Sequence, residues 1–529
     1  MIDLAHFCTQ LSEAGSPHEV KAVQLFPHEI VTSLTPEALP PIVRTLCQEF
    51  GARFVDLFGL ETDAPQRSVQ LRLIFALDAE HTWVHVHVEL DEPERTFPSL
   101  INELPAAGWY QREVWEELGL IPQGQPTLHR LRLPPDWPEN VYPHRQPFTW
   151  VQKVEAVEPR YFTLEEASAG AVDYPLGPVR SGIVESGHYT LRTVGEEIVD
   201  MHLQLFYKHR GVEKRAEGLA LELLPLVAER ISGTSAFAHS LALCQALELV
   251  AQIEVPPRAR FLRTLLAELE RLYNHLGFQA DLCQATGLVV AQAQFDILKE
   301  RVLRLNASIA GHRYLFGMNV PGGLSRDLTV QEQETIGQFV VALRREVETL
   351  RRLLLTSASH LDRLEGTGIL PPPEAQAFGA VGPVGRASGI QHDLRRDHPY
   401  AAYGEVDFNI PVFTEGDAFA RARLRLEETM QALHIVEQVL ERLPPGSVRV
   451  PMKPLPARGS ALGWAESARG ECVHWLLVGE DGTLRRYRVR PASFANWQAF
   501  PIAIPGHNIL TDFPVIEQSF GLSFSGADC

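Results

Sequence analysis

Residues 258–276 read RARFLRTLLAELERLYNHL, and this stretch decides the fold. Across 257–283 apolar residues recur at i, i+3, i+4 and i+7, the spacing that gives a helix one apolar face. Four further stretches, 218–250, 291–313, 329–363 and 415–441, carry the same period. Breaks such as Pro256-Pro257 and Pro321-Gly322-Gly323 separate them. Each helix needs a partner for its apolar face, so the middle of the chain is expected to be a helix bundle. Toward the C-terminus, 461–505 turns to strand character, with VHWLLVG and TLRRYRVR on either side of Glu480-Asp481-Gly482. Upstream, HYTLRT and IVDMHL flank the turn Val194-Gly195-Glu196-Glu197.

Nearer the N-terminus, Gln70–Leu77 and Trp83–Leu90 alternate apolar with polar positions, the period of half-buried strands that pair across 78–82. Residues 97–120 have helical spacing, with Leu100, Ile101, Leu104, Trp109, Val114 and Leu118 on one face, and end at Gly119. Residues 134–178 are rich in proline, which continues neither a helix nor a central strand. The expected organisation is an α+β domain over 1–145, a proline-rich linker over 146–175, and a mainly α domain with a helix-bundle core and small β regions over 176–529. A chain of 529 residues exceeds what one core usually supports, which agrees with this division.

With 45% hydrophobic and 22% charged residues the chain is of ordinary globular composition, which excludes disorder. A net charge of −18 with no basic run speaks against nucleic acid, whose phosphates need clustered positive charge. The first residues lack the basic and apolar regions of a secretory signal, and no stretch of about 18 apolar residues exists to span a bilayer. The expected location is therefore the cytoplasmic face of the membrane, held there peripherally through partners. Cys8, Cys47, Cys244, Cys283, Cys472 and Cys529 form no C-x-x-C pair and read as reduced, mostly buried residues. His85 and His87 share one strand face but have no third ligand nearby in sequence, so they read as surface-strand residues, while His275 and His312 fall in helical phrases and read as core or interface.

Specific phrases carry a family resemblance. Pro98-Ser99-Leu100, Trp109 with Arg112-Glu113, and Leu133-Pro134-Pro135-Asp136-Trp137 resemble the 30-kilodalton subunit of respiratory complex I and its counterpart in formate hydrogenlyase. From Gly177 onward the chain resembles the large subunit of group 4 nickel-iron hydrogenases and, more distantly, the 49-kilodalton subunit of complex I. The matching phrases are YPLGPVRSGIVESGHY, YKHRGVEK at 207–214, FAHS at 237–240, RARFLRTLLAELERLYNHL, NVPGGLSRDL at 319–328, GPVGRASG at 382–389, RRDHPYAAYG at 395–404 and ASFANWQAF at 492–500. Fusion of both parts in one chain is the arrangement of the formate hydrogenlyase and hydrogenase-4 large subunit.

The resemblance also implies a site. In hydrogenases of this family two thiolates come from an early R-x-C-G-x-C phrase and two from a late D-P-C-x-x-C phrase. Here the early phrase is Arg230-Ile231-Ser232-Gly233-Thr234-Ser235, and the late one, after Asp512-Phe513-Pro514, is Gly521-Leu522-Ser523-Phe524-Ser525-Gly526. Ser232, Ser235, Ser523 and Gly526 thus stand at the four ligand positions. Neutral hydroxyls are hard, weak donors for a soft metal, and glycine supplies none, so no metal is expected. Cys529 is a single thiol and cannot replace four. The chain stops just past the late phrase, so no removable C-terminal extension is expected.

The quinone anchors of the complex I relative are a tyrosine, aligned here with Gly233, and a His-Pro pair, aligned here with Arg180-Ser181. Other donors such as His188, Ser232, Ser235 or Arg469 remain for a headgroup. By resemblance, Glu185 stands where the family passes protons and Arg469 where an arginine hangs over the metals. His209, Arg210 and Glu213 match an H-R-G-x-E phrase that faces the small iron-sulfur subunit.

The expected function is a peripheral-arm subunit of a hetero-oligomeric, membrane-bound, complex I-like oxidoreductase. Electrons would come from iron-sulfur clusters in a small partner subunit and pass to an acceptor other than protons, quinone among the alternatives, with antiporter-like membrane subunits moving ions. No cofactor is expected on this chain itself. The alternative is a catalytically silent scaffold in such an assembly.

Overall fold

The computed structural model describes residues 4–14, 21–26, 28–62, 68–90, 95–161, 163–164, 167–180 and 185–529. The chain forms two units: 1–166 with 205–214 and 377–379, and 167–204 with 215–376 and 380–529.

The first unit is built on a five-stranded sheet. Its order runs Lys21–Phe26, Glu29–Leu34, Thr82–Leu90, Val69–Leu77, Arg53–Glu61. Val69–Leu77 and Thr82–Leu90 pair antiparallel from Leu77↔Thr82 outward, as the alternation predicts. Thr82–Leu90 also pairs in parallel with Glu29–Leu34 and is therefore central. This corrects the reading of His85 and His87 as surface-strand residues. His85 is buried 3.6 Å from Glu29, and burial, aided by Arg72, pushes its pKa down to about 3, so it stays neutral.

The predicted helix over 97–120 is shorter than expected, spanning Ala107–Leu118. Phe97-Pro98 and Leu104-Pro105 explain this, because a residue before proline is pushed out of the helical region. Gly119 ends the helix at φ 72°, with its N–H on Trp115 O at 2.9 Å. The helix also shows why its phrase is specific. The Glu116 carboxylate accepts from the backbone N–H groups of Leu131, Arg132 and Leu133, Arg112 donates to the carbonyls of His129 and Arg130, and Glu113 holds Arg132 at 2.6 Å. Side chains of one helix thereby fix the His129–Leu133 segment that leads into Pro134-Pro135-Asp136-Trp137.

In the second unit, Ala171–Leu176, His188–Val194 and Glu197–Gln204 form an antiparallel sheet with His188–Val194 central. Ala171–Leu176 overlaps the end of the stretch read as linker, 146–175. Pro175 is tolerated there because this is an edge strand, where a missing N–H breaks no ladder. Helices Pro257–Ala285, Val289–Ala310, Val330–Thr356 and Ala418–Arg442 follow the predicted periods and pack on one another. Pro257 opens the first, and the third carries a capping box between Thr329 and Glu332. The expected helix over 218–250 is broken: it forms short turns to Ala228 and resumes at Ala236–Val250, Pro225 and Gly233 interrupting it. Strands Ser460–Ser467, Gly470–Val478 and Leu484–Arg490 make the C-terminal sheet, on which Ala236–Val250 lies.

Candidate functional site

The early and late phrases meet at the point where chain segments end and helices begin. Ser232 Oγ lies 3.5 Å from Ser523 Oγ, and a Cβ built on Gly526 would sit 3.1 Å from Ser523 Oγ and 3.6 Å from the Ser232 Cβ. Three of the four aligned ligand positions therefore converge. Ser235 is buried just before Ala236–Val250, its N–H on Ser232 O at 3.0 Å.

The residues present do not fit a nickel-iron centre. Ser523 Oγ is engaged as the cap of helix Phe524–Asp528, accepting from Gly526 N–H at 3.0 Å, and Gly526 has no side chain to offer. The cluster is a hydrogen-bonded plug of hydroxyls in place of four soft anions.

Arg469 is held from three directions. Its Nε donates to Gly521 O at 2.9 Å and its Nη1 to Thr234 Oγ1 at 2.9 Å and Asn274 Oδ1 at 3.0 Å. It ties the early phrase, the long helix and the late loop together. Burial lowers its pKa while Glu185 and other acidic neighbours oppose this. It faces a cavity of about 180 Å³, lined also by Thr234, Tyr273, Lys299, Tyr314 and Arg425. Of the four donors considered for a quinone headgroup, Arg469 lines this cavity and His188, Ser232 and Ser235 do not. His188 contacts Thr190 on its own strand at 3.4 Å.

Glu185 lies close enough to interact with Arg469, but both carboxylate oxygens accept backbone N–H groups, from Phe524 at 2.8 Å and Ser525 at 3.1 Å. It anchors the start of the last helix. Arg180 is engaged by Glu517 through both guanidinium nitrogens, at 3.1 and 2.5 Å, and Ser181 lies outside the described residues. In the first unit Arg210 is exposed and His209 half-buried, whereas Glu213 is buried near Glu117, whose pKa is raised by burial and then by Glu113 and Glu213. Only part of that phrase is thus at the surface. His275 is core, bonded to Glu428 at 2.8 Å, while His312 is exposed and stacked on Phe316.

Periodicity and phrase matching overlooked Glu270. Its carboxylate accepts from Phe237 N–H at 2.7 Å and Ala238 N–H at 3.0 Å at the start of Ala236–Val250, and Tyr273 OH lies 3.5 Å from Oε2. Burial drives its pKa up to about 7, against the pull of those bonds and of Arg271 and Arg469. The folded pKa exceeds the unfolded value, so the stability linked to this group is complete below about pH 4.5 and is lost as pH rises through 7. At about 1.4 kcal/mol per unit this amounts to roughly 3 kcal/mol. Thermal melts from pH 4.5 to 8 are expected to show a falling Tm whose slope flattens in Glu270→Gln; an unchanged slope would refute the assignment.

A second overlooked group comprises His239, Cys472 and His474, whose donor atoms lie within 4.8 Å of one another. The hint was the Cys-x-His spacing, which puts two side chains on one face of a strand.

An α+β unit followed by a helix-bundle unit, with early and late phrases meeting under an arginine, defines the large subunit of complex I-like and hydrogenase-like assemblies. The chain belongs to the family of formate hydrogenlyase and hydrogenase-4 large subunits and fused NADH-quinone oxidoreductase C/D subunits. The 30 Kd subunit family of respiratory-chain NADH dehydrogenase matches residues 32–154 and the 49 Kd subunit family residues 284–458. Formate hydrogenlyase subunit 5 of Escherichia coli (strain K12) is 32% identical over 99% of this chain and 93% of its own length. Hydrogenase-4 component G of the same organism is 32% identical over 95% and 88%. Among solved structures, the membrane-bound sulfane sulfur reductase (MBS), an archaeal respiratory membrane complex, matches 69% of this chain and all of its own at TM-score 0.65 and 26% identity. No helix among the described residues is long and apolar enough to cross a membrane.

Proposed function

We propose that this chain is the acceptor-reducing subunit of a membrane-bound redox complex that is not a hydrogenase. Electrons arrive from iron-sulfur clusters in a small partner subunit and pass to an acceptor held at the Arg469 cavity. Antiporter-like membrane subunits use the released energy to move ions. The carrying observation is the pairing of a hydroxyl-and-glycine plug at the ligand positions with an arginine still braced by three hydrogen bonds over a cavity.

The lining favours a small polar or anionic acceptor over quinone. Arg469, Arg425 and Lys299 supply positive charge against the single carboxylate of Asp281, and Tyr273 and Asn274 are polar lining groups. Sulfane-sulfur chains are one such class, and the similar solved structure is that of a membrane-bound sulfane sulfur reductase. Tyr273 touches both the cavity and Glu270, so Glu270 is placed to deliver protons through it. Glu185 then serves by holding the late loop and the electrostatic environment of Arg469.

The isolated complex is expected to oxidise a reduced dye with polysulfide and to show neither hydrogen uptake nor stoichiometric nickel. Arg469→Met should lower that turnover about 100-fold, the usual loss when a charge-stabilising donor is removed. Robust hydrogen uptake would overturn the reading. A scaffold role is favoured by the joint loss of metal ligands and quinone anchors; it requires Arg469→Met and Glu270→Gln to leave function in cells intact.

A further inference from the structure

Cys472 and His474 alternate on strand Gly470–Val478, so both side chains leave the same face of the sheet. His239, in the first turn of Ala236–Val250, meets them from the helix that lies on that sheet. His239 Nδ1 is 2.9 Å from His474 Nε2 and 3.2 Å from Cys472 Sγ. All three residues are at most 2% exposed. The close approach depends on Gly463, the register partner of His474: a Cβ there would fall 1.9 Å from the Ala242 carbonyl oxygen. On the adjacent strand Tyr487 OH holds His474 Nδ1 at 2.6 Å and so aims Nε2 into the group.

We propose that His239, Cys472 and His474 form a binding site for one borderline-soft divalent transition ion of the zinc type, separate from any nickel-iron chemistry. Two imidazole nitrogens and one thiolate are a donor set that such ions accept. Bonds of about 2.0–2.1 Å to nitrogen and 2.3 Å to sulfur at tetrahedral angles separate the donors by roughly 3.3–3.6 Å. The two spacings to His239 Nδ1 fall short by only about 0.4 Å, and all three donors lie within 4.8 Å of one another. Tyr487 supplies the outer-shell contact that orients a ligating imidazole.

Binding is balanced as the ion replacing the Cys472 thiol proton, which leaves to solvent, while each imidazole gives a lone pair. The resulting single positive charge is offset by Glu270, a buried carboxylate within electrostatic range of the Cys472 sulfur. Cys529 is also within that range and can take the fourth position, its own thiol proton then leaving to solvent and the site becoming neutral.

The test uses the purified full-length chain, stripped with chelator and titrated with cobalt(II) alone. One equivalent should bind with a thiolate-to-cobalt charge-transfer band. Cys472→Ser should abolish the band where the fourth ligand is solvent, or cut it to about half where it is Cys529, and weaken binding at least about 100-fold, while Tyr487→Phe should keep the band with affinity about 10- to 100-fold lower. X-ray absorption of the zinc-loaded wild-type chain covers the case in which Cys472→Ser does not fold. One sulfur neighbour supports the site with a solvent ligand, and two support it with Cys529. Absence of stoichiometric binding, a shell without sulfur, or an unchanged band in Cys472→Ser would overturn the proposal.

Discussion

Replacing Arg386 by alanine is expected to cost the second unit about 3–5 kcal/mol, the range found when one partner of a buried ion pair is removed. Arg386 is fully buried. Its Nε donates to Glu428 Oε1 at 3.1 Å, and its Nη1 donates to Glu466 Oε1 at 2.9 Å and His392 O at 2.8 Å and lies 3.2 Å from Asp393. Without it, Glu428 and Glu466 lose the cation they share, in an interior from which water is excluded, while Asp393 keeps Arg395. Neighbouring Arg271 and Arg395 cannot take over, because they are committed to Glu268 and to Asp393. Arg386→Lys should recover only part of the loss, since a point charge cannot reproduce the planar fork. Urea denaturation of the purified chain measures both. A midpoint change worth under about 1 kcal/mol for the alanine variant would mean that the network contributes specificity and little stability.

Gly463→Val is expected to be comparably damaging through sterics alone. The ideal Cβ at this position lies 1.9 Å from Ala242 O and 2.7 Å from Ala246 N. Both are backbone atoms of a helix that cannot deform locally without losing its hydrogen bonds, so the whole helix must retreat from the sheet. Overpacking of this kind typically costs 1–3 kcal/mol, and about 3 kcal/mol or more is expected where the clash is with backbone. The retreat should also separate His239 from His474, which amide hydrogen exchange over 236–250 can follow as lost protection. Retained protection together with an unshifted Tm would show that the helix has slack at this point.

Much of the fold was legible because side-chain period is a one-dimensional property. The hairpin of Val69–Leu77 with Thr82–Leu90, that of His188–Val194 with Glu197–Gln204, and the four long helices follow from spacing alone. The errors share a cause. Periodicity assigns polar positions to solvent, yet Glu268, Glu270 and Arg271 of helix Pro257–Ala285 are buried because the helix is enclosed on all sides, Arg271 pairing with Glu268 one turn away and Glu270 accepting from the backbone of the neighbouring helix. His85 was misjudged in the same way: alternation reveals a strand but not its place in a sheet, and centrality came from a parallel pairing with Glu29–Leu34.

The donor types at the early and late phrases were legible in the sequence itself, since Ser232, Ser235, Ser523 and Gly526 offer no soft donor whatever the fold does. Family membership and the order of elements were equally accessible, being carried by long phrases in order along the chain. Convergence belongs to the tertiary structure. Ser232 meets Ser523 across 291 residues and Cys472 meets His239 across 233, distances over which no spacing rule operates. The ionisation of Glu270 near neutrality is likewise a product of burial, which desolvates a carboxylate only once the second unit has closed around it.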